Sequence, residues 1–253
     1  MKQVYKPLIL SMLIILLAVS CSYLPEQDDI DSYGNLQLEN GDYMLLYKTG
    51  TNYDRAFLFV PGGLVDPHVY LCWMNDLVEM YPGLAIISLK VPSNLAISNQ
   101  NKALKIRDEF PGIEHWIIGG HSLGGVVSAS SIKNSPDSFD GLVFLASWTT
   151  DFADISDWQG RVLSIFGSDD GVADFSEIEA NSSFLPAGVF VDSIPEFESA
   201  TEQTIYFEIK GGNHSGFGCY GLQDGDNTPG IPAEVQQEEM IEALETFFNL
   251  VWK

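Results

Sequence analysis

Ser122 lies in the run HWIIGGHSLGGVV, between Gly120 and Gly124. An apolar, strand-like stretch precedes it and a helix-like stretch follows. In that setting a G-x-S-x-G pattern permits a sharp turn that presents the serine hydroxyl outward, beside a helix N-terminus. A hydroxyl so placed is a nucleophile when a base stands next to it and a poor one otherwise. The bland alternative is a glycine-rich turn with an incidental serine, and the strand–turn–helix context argues against it.

Where the nucleophile sits on such a turn, the chain order is serine, acid, histidine. The chain has four histidines, His68, His115, His121 and His214. Only His214 follows the serine turn, in the loop-like KGGNHSGFG after the apolar run TIYFEIK. The acid should follow a strand between Ser122 and His214. RVLSIFG runs into Ser168-Asp169-Asp170-Gly171, so Asp169 and Asp170 are both candidates. Neighbouring side chains in extended chain face opposite ways, so if one points at the histidine the other points away. A buried carboxylate there would fix the imidazole tautomer and stabilise the imidazolium. Acyl transfer also needs backbone N–H groups aimed at the developing oxyanion. Leu123, directly after the nucleophile, is one expected donor. The other belongs to the loop Pro61-Gly62-Gly63-Leu64-Val65-Asp66-Pro67, with Gly63 the first choice and Leu64 the second.

These groups need a scaffold. DYMLLYK, RAFLFV, LAIISLK, HWIIGG, LVFLAS, RVLSIFG and TIYFEIKG read as strands. Helices are expected from Pro67 to Tyr81, with Asp66 as N-cap, and over SNQNKALKIRDEF, LGGVVSASSIKNS, DFSEIEANSSF and EVQQEEMIEALETFFNLVW. Strands that are apolar along their whole length, separated by helices, imply an α/β fold. Its sheet is mostly parallel and covered on both faces, with the site at the C-terminal strand ends.

The blocks FVPGGLVDPHVY, LKVPSNLA, GGHSLGG, FGSDDGV and GGNHSGFGCYG resemble the bacterial alpha/beta hydrolase fold-5 family, within the α/β-hydrolase superfamily. The likeness runs from about residue 41 to 253, in order and spacing. It implies nucleophile Ser122, acid Asp170, base His214 and an oxyanion loop at Gly62-Gly63-Leu64. The matching motif reads G-x-x-D-G, and Asp170 fills its acidic place. Cys219 departs from the family, which more often carries a polar residue there. Superfamily members with a large lid usually insert it between LVFLAS and RVLSIFG. Only Trp148 to Gly160 lie there in this chain, so no large lid domain is expected; Leu185 to Gln203 is long enough for a partial rim. The implied activity is hydrolysis of carboxylic ester bonds. A lactone or dienelactone hydrolase on the same triad, and a surface lipoprotein that binds without catalysing, are the alternatives.

The N-terminus reads as targeting. Lys2 and Lys6 precede the apolar run Leu8 to Val19, which is too short to span a bilayer comfortably. Leu17-Ala18-Val19-Ser20-Cys21 resembles a bacterial lipobox, with Ala18 where leucine is commoner. Residues 1–20 are therefore read as a lipoprotein signal peptide, Cys21 as the lipid anchor, 21–40 as an acidic tether and 41–253 as the hydrolase domain. An uncleaved anchor and a plain signal peptide are the other readings, and all of them export the domain. Cys72 and Cys219 remain. Export permits a disulfide, but Cys72 lies one to two turns into its helix, about 8 Å from the rim. Bridging needs Cα atoms within about 7 Å; buried free thiols are the expectation, and a bridge is the alternative if the histidine loop folds down to close the gap.

Twelve Lys and Arg against 35 Asp and Glu give a net charge of −23, so nucleic acid is not an expected partner. Asp224-Gly225-Asp226-Asn227 lacks the spaced ligands of a calcium loop and reads as an acidic turn. There is no dinucleotide or P-loop motif and no Cys/His metal spacing, so no cofactor and no metal are expected.

Overall fold

The computed structural model describes residues 23–25, 34–96 and 101–253. The stretch read as signal peptide and the anchor residue Cys21 lie outside the described residues. The strands are β1 (Leu36–Glu39), β2 (Tyr43–Tyr47), β3 (Arg55–Val60), β4 (Leu84–Leu89), β5 (His115–His121), β6 (Gly141–Leu145), β7 (Arg161–Gly167), β8 (Gly188–Val191) and β9 (Thr204–Ile209). The helices are α1 (Leu71–Met80), α2 (Lys102–Asp108), α3 (Leu123–Asn134), α4 (Phe175–Ala180), α5 (Ile194–Ser199) and α6 (Ala233–Val251).

All nine strands form one sheet in the order β1-β2-β4-β3-β5-β6-β7-β9-β8. Pairing is parallel from β4 to β8 and antiparallel for β1–β2 and β2–β4. Side chains of an extended chain alternate between faces. In β3, Phe57 and Phe59 enter one core, while Ala56, Leu58 and Val60 enter the other. Burial on both faces is why these strands read as unbroken apolar runs. Trp73 of α1, Phe197 of α5 and Phe247 of α6 pack on the first face; Ile106 of α2, Ile132 of α3 and Ile178 of α4 pack on the second. The chain steps from β3 to β4 on one side, then to β5 on the other. At that reversal the helices that follow β3 and β5 pack on opposite faces of the sheet, and such a reversal is the usual ligand position in sheets of this kind.

Three elements depart from expectation. β1 falls inside the stretch read as a tether, and pairs Leu36 with Leu46 and Glu39 with Met44. Most of its residues are exposed, so backbone pairing rather than burial makes it a strand. The connection Leu185 to Gln203 is no rim: it carries β8, parallel to β9, and α5, whose Phe197 is buried in the core. The helix expected from Pro67 begins as a 3₁₀ turn, Pro67–Tyr70, capped by Asp66, before α1. Between β6 and β7 there is only a 3₁₀ turn, Asp151–Ala153, and no large lid.

Candidate active site

Ser122 joins β5 to α3 at φ 52°, ψ −124°. A non-glycine residue there is strained and persists only when its surroundings fix it. The Ser122 N–H donates to Leu145 O (2.9 Å), and Ser122 O accepts from Gly125 N (3.0 Å) and Ser147 Oγ (2.7 Å). The flanking glycines are steric requirements. A Cβ on Gly124 would stand 2.0 Å from Val60 O, and one on Gly120 would stand 2.5 Å from Val60 O and Gly124 C. Helix, elbow and β3 therefore pack backbone to backbone. Ser147, which no motif marks, is a supporting residue of this turn.

Asp170 and His214 meet at the ends of β7 and β9. His214 Nδ1 lies 3.0 Å from Asp170 Oδ2, and both side chains are fully buried. Asp170 Oδ1 accepts from Val172 N (2.8 Å) and Ala173 N (2.6 Å). A carboxylate so satisfied accepts the Nδ1–H of the imidazole and leaves Nε2 as the basic nitrogen. His214 Nε2 is buried with no hydrogen-bond partner among the described residues. Asp169 faces elsewhere: its carboxylate takes the Ser168 hydroxyl at 3.2 Å.

The base loop is braced from outside. Asp226 Oδ1 accepts from His214 N (3.3 Å) and from Gly171 N (3.1 Å), next to the acid. Its Oδ2 accepts from Ser215 N (2.8 Å) and Ser215 Oγ (2.6 Å). Gln236 of α6 grips the Asn213 backbone, donating to its carbonyl at 2.9 Å and accepting from its N–H at 3.0 Å. Asp226 belongs to the acidic turn of the sequence reading; only its place 12 residues beyond His214 hinted at more.

The free thiols expected at Cys72 and Cys219 are a bridge instead, with Cα atoms 6.7 Å apart. The base loop folds down onto α1 and closes the gap. Cys219 N donates to Val69 O (2.8 Å), and Trp73 Nε1 donates to Phe217 O (3.1 Å). A cavity of about 600 Å³ adjoins this loop, lined by Ser215, Gly216 and Cys219 but by none of Ser122, Asp170 and His214.

The oxyanion loop follows β3. Leu64 is not an available donor: its N–H is given to Asn94 O at 2.8 Å. Gly62 N–H is also engaged, by Tyr70 Oη at 3.0 Å. Gly63 N–H and Leu123 N–H have no acceptor among the described residues, and a Cβ on Gly63 would lie 3.1 Å from the Leu123 side chain. Of the sequence candidates, Gly63 and Leu123 are thus brought together with free donors. Behind them, Tyr70 Oη also lies 2.9 Å from His121 Nδ1. Its hydroxyl thus pairs with both the Gly62 N–H and the His121 ring. Burial and the neighbouring His214 push the His121 imidazole well below its ordinary range, although the His214 backbone favours the charged form. His121 is therefore neutral, and its ring centre lies 4.5 Å from that of His214.

Tyr23 also reaches this loop. Its N–H donates to Leu64 O (2.9 Å) and its carbonyl accepts from Asp66 N (2.9 Å).

The sheet, the strained serine elbow and the loops gathered at the reversal point define a protein of the α/β-hydrolase type. The model of the alpha/beta hydrolase family matches residues 56–238, and the chain belongs to that family. A predicted CIB-like hydrolase from Thermoplasma acidophilum superposes with a TM-score of 0.58, at 15% identity, over 83% of this chain and 97% of that one. At that identity the likeness is one of fold. No curated protein matches the sequence.

Proposed function

We propose that this hydrolase cleaves carboxylic esters through a triad of Ser122, Asp170 and His214. The observation that carries the reading is the fully buried His214–Asp170 pair, whose outer nitrogen has no partner among the described residues. Ser122 Oγ attacks the acyl carbon while His214 Nε2 takes its proton. The tetrahedral oxyanion is held by the N–H groups of Gly63 and Leu123. Collapse returns the proton from His214 to the leaving alcohol and leaves an acyl-serine. Water, deprotonated by His214, repeats the sequence and releases the acid and free Ser122. Asp170 keeps its charge throughout and steadies the imidazolium. Ser122→Ala should lower turnover by about 10⁴-fold and abolish labelling by a fluorophosphonate in a folded protein. Labelling at the wild-type level would defeat the assignment. A panel of p-nitrophenyl esters and lactones then sorts ester from lactone preference.

We further propose that the protein is exported and lipidated at Cys21. The Cys72–Cys219 bridge supports export, since disulfides persist in oxidising compartments. Cys21→Ser should abolish signal processing and membrane retention in a bacterial host; retention equal to wild type would refute the anchor.

A further inference from the structure

We propose that Tyr23 is a positioning residue of the active site, a strap that holds the oxyanion loop and the base loop in register. The catalytic part of this proposal rests on the serine-hydrolase reading above. Leu64 sits at φ 61°, in the left-handed region that branched side chains disfavour. It relaxes unless fixed, and relaxation would move its neighbour Gly63. An oxyanion donor must stand about 3 Å from the developing charge, so small displacements there matter. One tie on Leu64 comes from inside the hydrolase core, Leu64 N–H to Asn94 O at 2.8 Å. The others come from Tyr23, which donates to Leu64 O (2.9 Å), accepts from Asp66 N (2.9 Å), and pairs with Val65 as a parallel bridge. That bridge holds Leu64 O and Asp66 N, on either side of Val65, and so fixes the chain directly after the Leu64 bend.

The same residue touches the other half of the site. Tyr23 Oη accepts from Asp224 N (3.2 Å), and its ring lies 5.4 Å from that of Tyr220. Both partners belong to the stretch after His214. Asp224 is two residues from Asp226, which clamps His214 and Ser215. Tyr23 thus spans, outside the catalytic groups, from Leu64, the neighbour of the donor Gly63, to the turn that aims the base.

Three variants of the full chain separate its parts. Tyr23→Pro removes the N–H that Leu64 accepts, Tyr23→Ala removes the ring, and Tyr23→Phe removes only the hydroxyl. With an activated ester, well below each variant's melting temperature, kcat should fall tenfold or more in Tyr23→Pro, with KM within twofold of wild type. Tyr23→Ala should fall less, and Tyr23→Phe least. Amide hydrogen exchange at Asp66 should accelerate in Tyr23→Pro in step with kcat. Unchanged kcat beside accelerated exchange would overturn the positioning role, and unchanged exchange would overturn the strap. Wild-type Ser122 failing to react with a fluorophosphonate would overturn the serine-hydrolase reading and with it the catalytic role of Tyr23. The Asp66 exchange would then still decide whether Tyr23 holds the loop.

Discussion

The two halves of the site are secured in opposite ways. On the base side, Asp170 and His214 are buried and their loops are tied by hydrogen bonds donated by Val172, Ala173 and Gln236 and accepted by Asp226, with the disulfide close by. None of the positive-φ non-glycine residues belongs to those loops. On the oxyanion side, Leu64 is at φ 61°, and the turn that receives its N–H contains Ser93 and Asn94 at φ 55° and 51°. Strained backbone there is balanced against contacts from distant parts of the chain. Proton transfer needs a fixed pair of nitrogens and oxygens, which complete bonding supplies. An oxyanion hole needs N–H groups left without partners, and a backbone that keeps donors free must be restrained by other means.

The comparison breaks most sharply at the acid. Asp170→Asn should reduce turnover by up to about 10⁴-fold by favouring the wrong imidazole tautomer, while Asp169→Asn should cost little. Side-by-side kinetics on one activated ester would reverse the assignment if Asp169→Asn lost more. A smaller effect is expected at the brace. Hydrogen bonds to a charged group contribute about 1.5–3 kcal/mol each where buried, and Asp226 is half-buried. Asp226→Ala should therefore lower kcat by about 10- to 100-fold and also lower Tm. Wild-type kcat in that variant would mean that the base loop holds itself.

The smallest effect belongs to the oxyanion side. His68, just past that loop, has Nδ1 2.6 Å from Asp66 Oδ1 and Nε2 3.1 Å from Glu39 Oε1. The hydrogen bond that its ring donates to Asp66, joined by one to Glu39 and opposed by burial, raises its pKa above the ordinary value of 6.5. A raised folded-state pKa adds stability that is complete below the unfolded value and lost as pH rises through the folded one. Denaturant unfolding at pH 6 and pH 9 should show that loss in wild type and less of it in His68→Gln. Equal losses in both would remove His68 as the cause.

Much of this was legible because burial on both faces writes long apolar runs: β3, β4, β7 and β9 lie within the segments read as strands. The serine turn was legible because its glycines are steric necessities, as Gly120 and Gly124 show. Asp170 and His214 were placed by chain order and likeness, and the geometry joins them. What escaped was held by backbone bonds or by folding back. β1 is an exposed edge whose pattern matches a polar linker. Asp226 looks like any turn aspartate until its partners converge on it. Leu64 could be ranked behind Gly63 as a donor but not excluded, because its exclusion depends on Asn94 reaching across from the next strand's loop. The bridge needed the base loop to descend onto α1, which no helical offset reveals.

The docking of Tyr23 also changes what the stretch after residue 20 can do. Only Ser22 separates Cys21 in sequence from Tyr23, which is bonded to Leu64. Under the proposed lipidation, the acylated cysteine would then sit beside the mouth of the site rather than at the far end of a leash. The opening would be held at the headgroup layer of the bilayer, and esters would reach it by lateral diffusion in two dimensions. Their effective concentration would be set by membrane composition instead of by the surrounding water.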